Sequence, residues 1–172
     1  MFLKLIKNFS AKRILKKSYS EIKLNETENK IQTVAVLIDE TDFEEKDNLV
    51  FELVTSGFDL NNIEVLTFKN KYKKKDNISY SHFSGSDISW LGTIEKENVK
   101  NFKSIKFDLL ISYYDKKKIP LLCVTQLSEA GFKVGFSSID SRFNHLMIDS
   151  DMKDYKTFVG ELVKYLKILK KL

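Results

Sequence analysis

The residues in this chain that could do chemistry are carboxylates and hydroxyls that follow strand-like segments. Asp39, Glu40, Thr41 and Asp42 follow the apolar run 31–38 (IQTVAVLI). Tyr114 and Asp115 end the run FDLLISYY, and Ser137 and Ser138 follow FKVGF. In a doubly wound sheet, ligands bind beyond the carboxyl ends of the strands, where the strand order reverses. Asp39, Glu40, Asp115 and Ser137 therefore form a candidate ligand pocket, with oxygen donors of the type a hard cation such as Mg²⁺ takes. The competing expectation is that Asp39 to Asp42 cap the following helix and favour its positive end.

Other chemistries find less support. The six glycines are scattered, with neither G-x-G-x-x-G nor G-x-x-x-x-G-K-[ST], so no phosphate loop is predicted and no cofactor is expected. The acids after the first and third strands are loosely similar to a phosphoacceptor receiver domain. The lysine expected near the end of its fifth strand is missing, because HLMI is followed by Asp149 and Ser150. His82, Ser84 and Asp87 share one polar stretch, but a triad is defined by geometry, not by proximity in sequence. Cys123 lies between Leu122 and Val124 and reads as a small buried hydrophobe. With two His and one Cys, a zinc site is not expected, nor is a disulfide framework.

The charge is unevenly placed. Of 29 Lys+Arg and 24 Asp+Glu, residues 1–24 hold Lys4, Lys7, Lys12, Arg13, Lys16, Lys17 and Lys23 against Glu21 alone. The remaining 148 residues carry 22 basic and 23 acidic groups, so the net +5 belongs to an N-terminal appendage. A second concentration, Lys69, Lys71, Lys73, Lys74 and Lys75, is followed by Tyr80 and Trp90. Basic groups interleaved with aromatics suit single-stranded nucleic acid, with charge on phosphates and rings on bases. These thirteen residues, Lys23 excepted and Tyr80 and Trp90 included, are the candidate nucleic-acid contacts. A solvated lysine face is the alternative reading.

The elements that position these groups alternate. The segments 31–38, 63–68, 107–114, 132–137 and 145–148 read as strands, and 43–56, 94–102, 119–130 and about 152–171 as helices. Gly57 is expected just past the first of these helices, while Pro120 opens and Gly131 closes the third. The stretch 69–92 reads as a long polar and aromatic loop. The predicted fold class is α/β: a doubly wound, flavodoxin- or Rossmann-like, mainly parallel five-stranded sheet, order 2-1-3-4-5, with helices on both faces. Residues 30–172 are expected to form this single domain and 1–24 a basic amphipathic helical extension, broken near Asn8–Ser10. Thirteen Phe, seven Tyr and one Trp exclude a disordered chain. No run approaches the ~20 apolar residues of a membrane span, and lysines interrupt Phe2, Leu5, Ile6 and Phe9, so a signal peptide is not predicted and a cytoplasmic location is expected.

The segments FDLLISYYDKKKIPLLCVTQLSEAGFKVGF and ELVKYLKILKKL, with Arg142, the Leu146-Met147-Ile148 strand and the turn from Trp90 to Gly92, resemble an uncharacterised family of small proteins from Bacteroidota, a domain of unknown function. The resemblance implies a cytoplasmic bacterial protein and brings no activity and no site residues. The function expected from the residues is a non-enzymatic adaptor that docks on RNA, ribosomal or otherwise structured, through its basic N-terminal helix and the lysine loop. The rival readings are a small-ligand or Mg-binding α/β enzyme using the strand-end carboxylates, and a peripheral membrane protein inserting Phe2, Leu5, Ile6 and Phe9 among lysines.

Overall fold

Strands that are apolar on both faces need helices on both faces, and the chain supplies them. The computed structural model describes residues 30–89 and 93–172. The expectations placed on residues 1–24, on Trp90 and on the turn to Gly92 lie outside the described residues. One sheet holds β1 (Val34–Asp39), β2 (Ile63–Lys69), β3 (Ser81–Ser84), β4 (Leu109–Tyr113), β5 (Phe132–Phe136) and β6 (Leu146–Ile148), in the order β3-β2-β1-β4-β5-β6. Every pairing is parallel.

The helices are α1 (Lys46–Thr55), α2 (Glu97–Ser104), α3 (Ile119–Leu127) and α4 (Tyr155–Ile168). Period-2 alternation divides the strand side chains between two cores. Val34, Val36, Ile38, Leu109, Ile111 and Tyr113 pack with α1 and α4 through Leu49, Leu53, Phe158 and Leu162. Ala35, Leu37, Leu66 and Leu110 pack with α2 and α3 through Val99, Phe102, Leu121 and Val124. Asp108 latches the entries of β1 and β4 together: its carboxylate accepts from the N–H groups of Gln32 (3.0 Å) and Thr33 (2.8 Å) and from the Thr33 hydroxyl (2.9 Å).

The α/β class and the parallel sheet covered on both faces agree with the sequence, and the five expected strands are paired in the expected order. The count is six rather than five. Ser81–Ser84 extends the sheet beyond β2 inside the stretch read as a loop. Its sequence, SHFS, has little strand propensity, and its support is tertiary. Phe83 packs on Phe68 with ring centroids 5.1 Å apart, and Lys96 and Asn98 both donate to the His82 carbonyl. Helix ends also differ. Gly57 takes φ +108° after α1, as expected. The third helix stops at Leu127, and Gly131 instead donates its N–H to the Phe107 carbonyl. The end of α3 is held by Lys133, whose ammonium donates to the Thr125 and Ser128 carbonyls, 2.8 Å each.

Candidate functional site

The chain leaves β1 toward β2 and β3, then returns to place β4 on the other side of β1. The switch point therefore lies between the carboxyl ends of β1 and β4. Asp39 closes β1 and is 1% exposed. Its carboxylate is not a helix cap: it meets the Lys118 ammonium at 2.5 Å and accepts the Thr41 N–H at 3.1 Å. α1 begins only at Lys46, and its N-cap Glu45 makes no side-chain capping bond. The capping expectation for Asp39 to Asp42 is thus corrected. The acids organise a loop and an ion-pair cluster.

Lys118, at the entrance to α3, bridges Asp39 and Asp42, the latter at 2.7 Å, and Lys116 meets Asp42 at 3.1 Å. The hydrogen bond from Lys118, opposed by partial burial and reinforced by Lys116, holds Asp42 below the usual carboxylate range. A second pair lies beside the first. Glu40 binds the buried Lys46 ammonium, which also donates to the Asn77 carbonyl at 3.0 Å. The other Glu40 oxygen accepts from the Tyr72 hydroxyl at 3.0 Å, which in turn meets the Thr67 hydroxyl at 2.9 Å. Burial pushes the Tyr72 phenol up; the bond from Thr67 opposes this and the Glu40 charge reinforces it. Both pairs are internally neutral.

Sequence reasoning brought Asp39 and Glu40 to this place but missed Lys46, Tyr72 and Lys118. Lys118, one residue before the Ile-Pro start of a helix that follows a two-sided strand, carried a usable signal, since that position abuts the switch point. Asp115 is half-buried at the end of β4, and its backbone carbonyl accepts from the Ser138 hydroxyl at 2.8 Å. Ser137 is not part of the Asp39 cluster: its hydroxyl donates to Asp149, past the end of β6, at 3.0 Å. Among the described residues no three His, Cys, Asp or Glu side chains form a group that could hold a metal ion.

The turn after β1 is chemically opposed to polyphosphate. Of the five carboxylates in the segment 39–45 (DETDFEE), Asp39, Glu40 and Asp42 are neutralised by lysines, which leaves Glu44 and Glu45 at the amino end of α1, where a dinucleotide's phosphates would need N–H groups and no repelling charge. The same carboxyl edge of the sheet carries the lysine loop. Lys69 pairs with Asp76 at 3.2 Å, and the Lys73 N–H donates to Asp76. Lys71, Lys74 and Lys75 are exposed, with no ion-pair or hydrogen-bond partner for their ammonium groups among the described residues. The rings nearby are engaged by the domain. Tyr72 lies edge-on to His82 at 4.6 Å. Tyr80 packs against the α1 side of the core and bonds Asp47, with its phenol pushed up to about 12, chiefly by burial.

The remaining candidates are structural. Ser84 and Asp87 form a capping box around a short 3-10 turn, Gly85–Asp87. Cys123 is buried and its thiol is pushed up to about 11 by desolvation. No helix among the described residues is long and apolar enough to cross a membrane.

Fold and site together define a doubly wound α/β domain with an acidic, lysine-neutralised switch point and a cationic loop on the same edge. The chain belongs to a family of unknown function, DUF6913, whose model matches residues 7–169. No curated protein and no solved structure matches the chain.

Proposed function

We propose that this protein is a non-enzymatic adaptor that docks on RNA through its lysine loop and its basic N-terminal segment. The observation that carries this reading is the division of labour along the carboxyl edge of the sheet. Two of the three candidate carboxylates, Asp39 and Glu40, and the neighbouring Asp42 are held by the domain's own lysines, while Lys71, Lys74 and Lys75 stand exposed on the loop after β2. A ligand that neutralises lysines without needing a concave, preorganised centre is a polyanion, and phosphate contacts give affinity with little sequence preference. The N-terminal segment adds seven basic groups against one acid in residues 1–24. The described chain starts beside the end of α4, where the Ile31 N–H donates to the Lys171 carbonyl at 2.8 Å. That is the amino edge of the sheet, whereas the lysine loop follows the carboxyl end of β2. The partner proposed is a structured RNA, the ribosome included.

The test is a salt titration of binding to structured RNA, together with co-sedimentation with ribosomes at low and high salt. The triple variant Lys71→Gln, Lys74→Gln, Lys75→Gln is expected to lower the slope of log K against log salt by about 0.7–0.9 per lost contact. Its fold stability should stay within about 0.5 kcal/mol of the parent. A protein that stays free of RNA and ribosomes at low salt would sink the reading. Binding to anionic vesicles that is lost on Phe2→Ser and Ile6→Ser, with no RNA binding, would replace it with the peripheral-membrane reading.

A further inference from the structure

We infer that the cleft between α2 and α3 is a binding site for a small monocarboxylate with a compact apolar body, about the size of one aromatic ring. The cleft has a volume of about 140 Å³. A cavity of roughly 150 Å³ walled by apolar side chains stays dry and accepts one benzene molecule. Helical spacing builds the walls. Cys123 and Leu127 stand one turn apart on α3 beside Val124, and Ile94 closes the wall from the segment before α2.

The polar part comes from α2, where Lys100 and Lys103 are three residues apart and face the same cleft. Lys100 is already paired with Glu95 at 2.7 Å. Lys103 is not paired: its ammonium is half-buried and has no hydrogen-bond or ion-pair acceptor among the described residues, and the Glu95 carboxylate and the Lys100 ammonium act on it only through space. Desolvation therefore lowers its pKa. A half-buried cation at the mouth of an apolar cavity lacks one thing, an anion that can bring its own apolar body. The thiol of Cys123 offers no rival chemistry, because burial keeps it protonated at neutral pH and makes it a wall rather than a nucleophile.

A carboxylate oriented toward Lys103, with its ring or branched chain against Ile94, Val124 and Leu127, would satisfy both parts of the site. Phosphorylated or dianionic ligands fit less well, since Glu95 stands at the same rim.

The probes are benzoate and its neutral isostere benzamide, added to the full chain and followed by the methyl resonances of Ile94, Val124 and Leu127 and by calorimetry. Benzoate is expected to shift these methyls saturably and to bind about tenfold or more tightly than benzamide, the worth of one charge-assisted hydrogen bond. Lys103→Met, which keeps the apolar stem, should remove that preference while benzamide affinity stays within about twofold. Leu127→Trp, at an exposed position on the rim, should block both probes by filling the cavity. Equal affinity for benzoate and benzamide in the parent protein would overturn the assignment of Lys103, whatever the variants do. Absence of any saturable shift at these methyls with millimolar benzoate would overturn the site itself.

Discussion

Replacing Lys118 by Met tests the idea that the switch point is a self-neutralised structural cluster. The substitution keeps the apolar stem and removes the ammonium that meets Asp39 and Asp42. Asp42 lies at the rim and can turn to Lys116 and to water. Asp39 cannot, being 1% exposed, and it keeps only the Thr41 N–H as a side-chain partner. Removing one partner of a buried ion pair costs about 3–5 kcal/mol, because the other charge is left uncompensated. The surviving Thr41 bond and the partly exposed position of Lys118 place this case near the lower end, about 3 kcal/mol. For a chain of this length that corresponds to a fall in Tm of roughly 6–12 °C. Urea unfolding should show a lower midpoint with an unchanged slope. The second substitution decides the cause. In the double variant Asp39→Asn, Lys118→Met no charge is stranded, so at least half of the loss should return. A single variant that loses less than about 1 kcal/mol, or a double variant no more stable than the single, would refute the argument.

Three further outcomes follow from other parts of the domain. Gly135→Ala should destabilise by about 1–3 kcal/mol in the same assay, because its Cβ would lie 2.6 Å from Nδ2 of the buried Asn144. Asp108 has its pKa lowered: burial raises it, but the hydrogen bonds from Thr33 and Gln32 outweigh that effect. A carboxyl depressed in the folded state stabilises above its unfolded pKa, near 4, and loses that contribution as pH falls through the folded value. Asp108→Asn should therefore be less stable than the parent at pH 7 and should close that gap in acid, as read by unfolding midpoints between pH 7 and pH 2. Lys133→Met should cost about 1–2 kcal/mol by thermal unfolding, since it releases the Thr125 and Ser128 carbonyls at the end of α3.

Much of the architecture is written in local periodicity. Residues 34–38 and 109–111 are apolar at consecutive positions and rich in β-branched side chains, as a strand covered on both faces permits, and they became the adjacent central strands β1 and β4. Gly57 announced the end of α1 because a left-handed residue there favours glycine. The acid-rich turn after β1 was legible too.

Tertiary structure decided what has no local signature. The Ser81–Ser84 strand contains one large apolar side chain, and it pairs with β2 because Phe83 finds Phe68 and because Lys96 and Asn98 satisfy the His82 carbonyl. Whether Asp39 would cap a helix or be neutralised depended on which cation reached it. That cation, Lys118, comes from the loop after β4 and meets Asp39 only because β1 and β4 are neighbours in the sheet. Spacing along a chain reports which residues share a face of their own element. It carries no information about which charge a distant loop will bring to that face, and in this domain that pairing determines what the switch-point acids do.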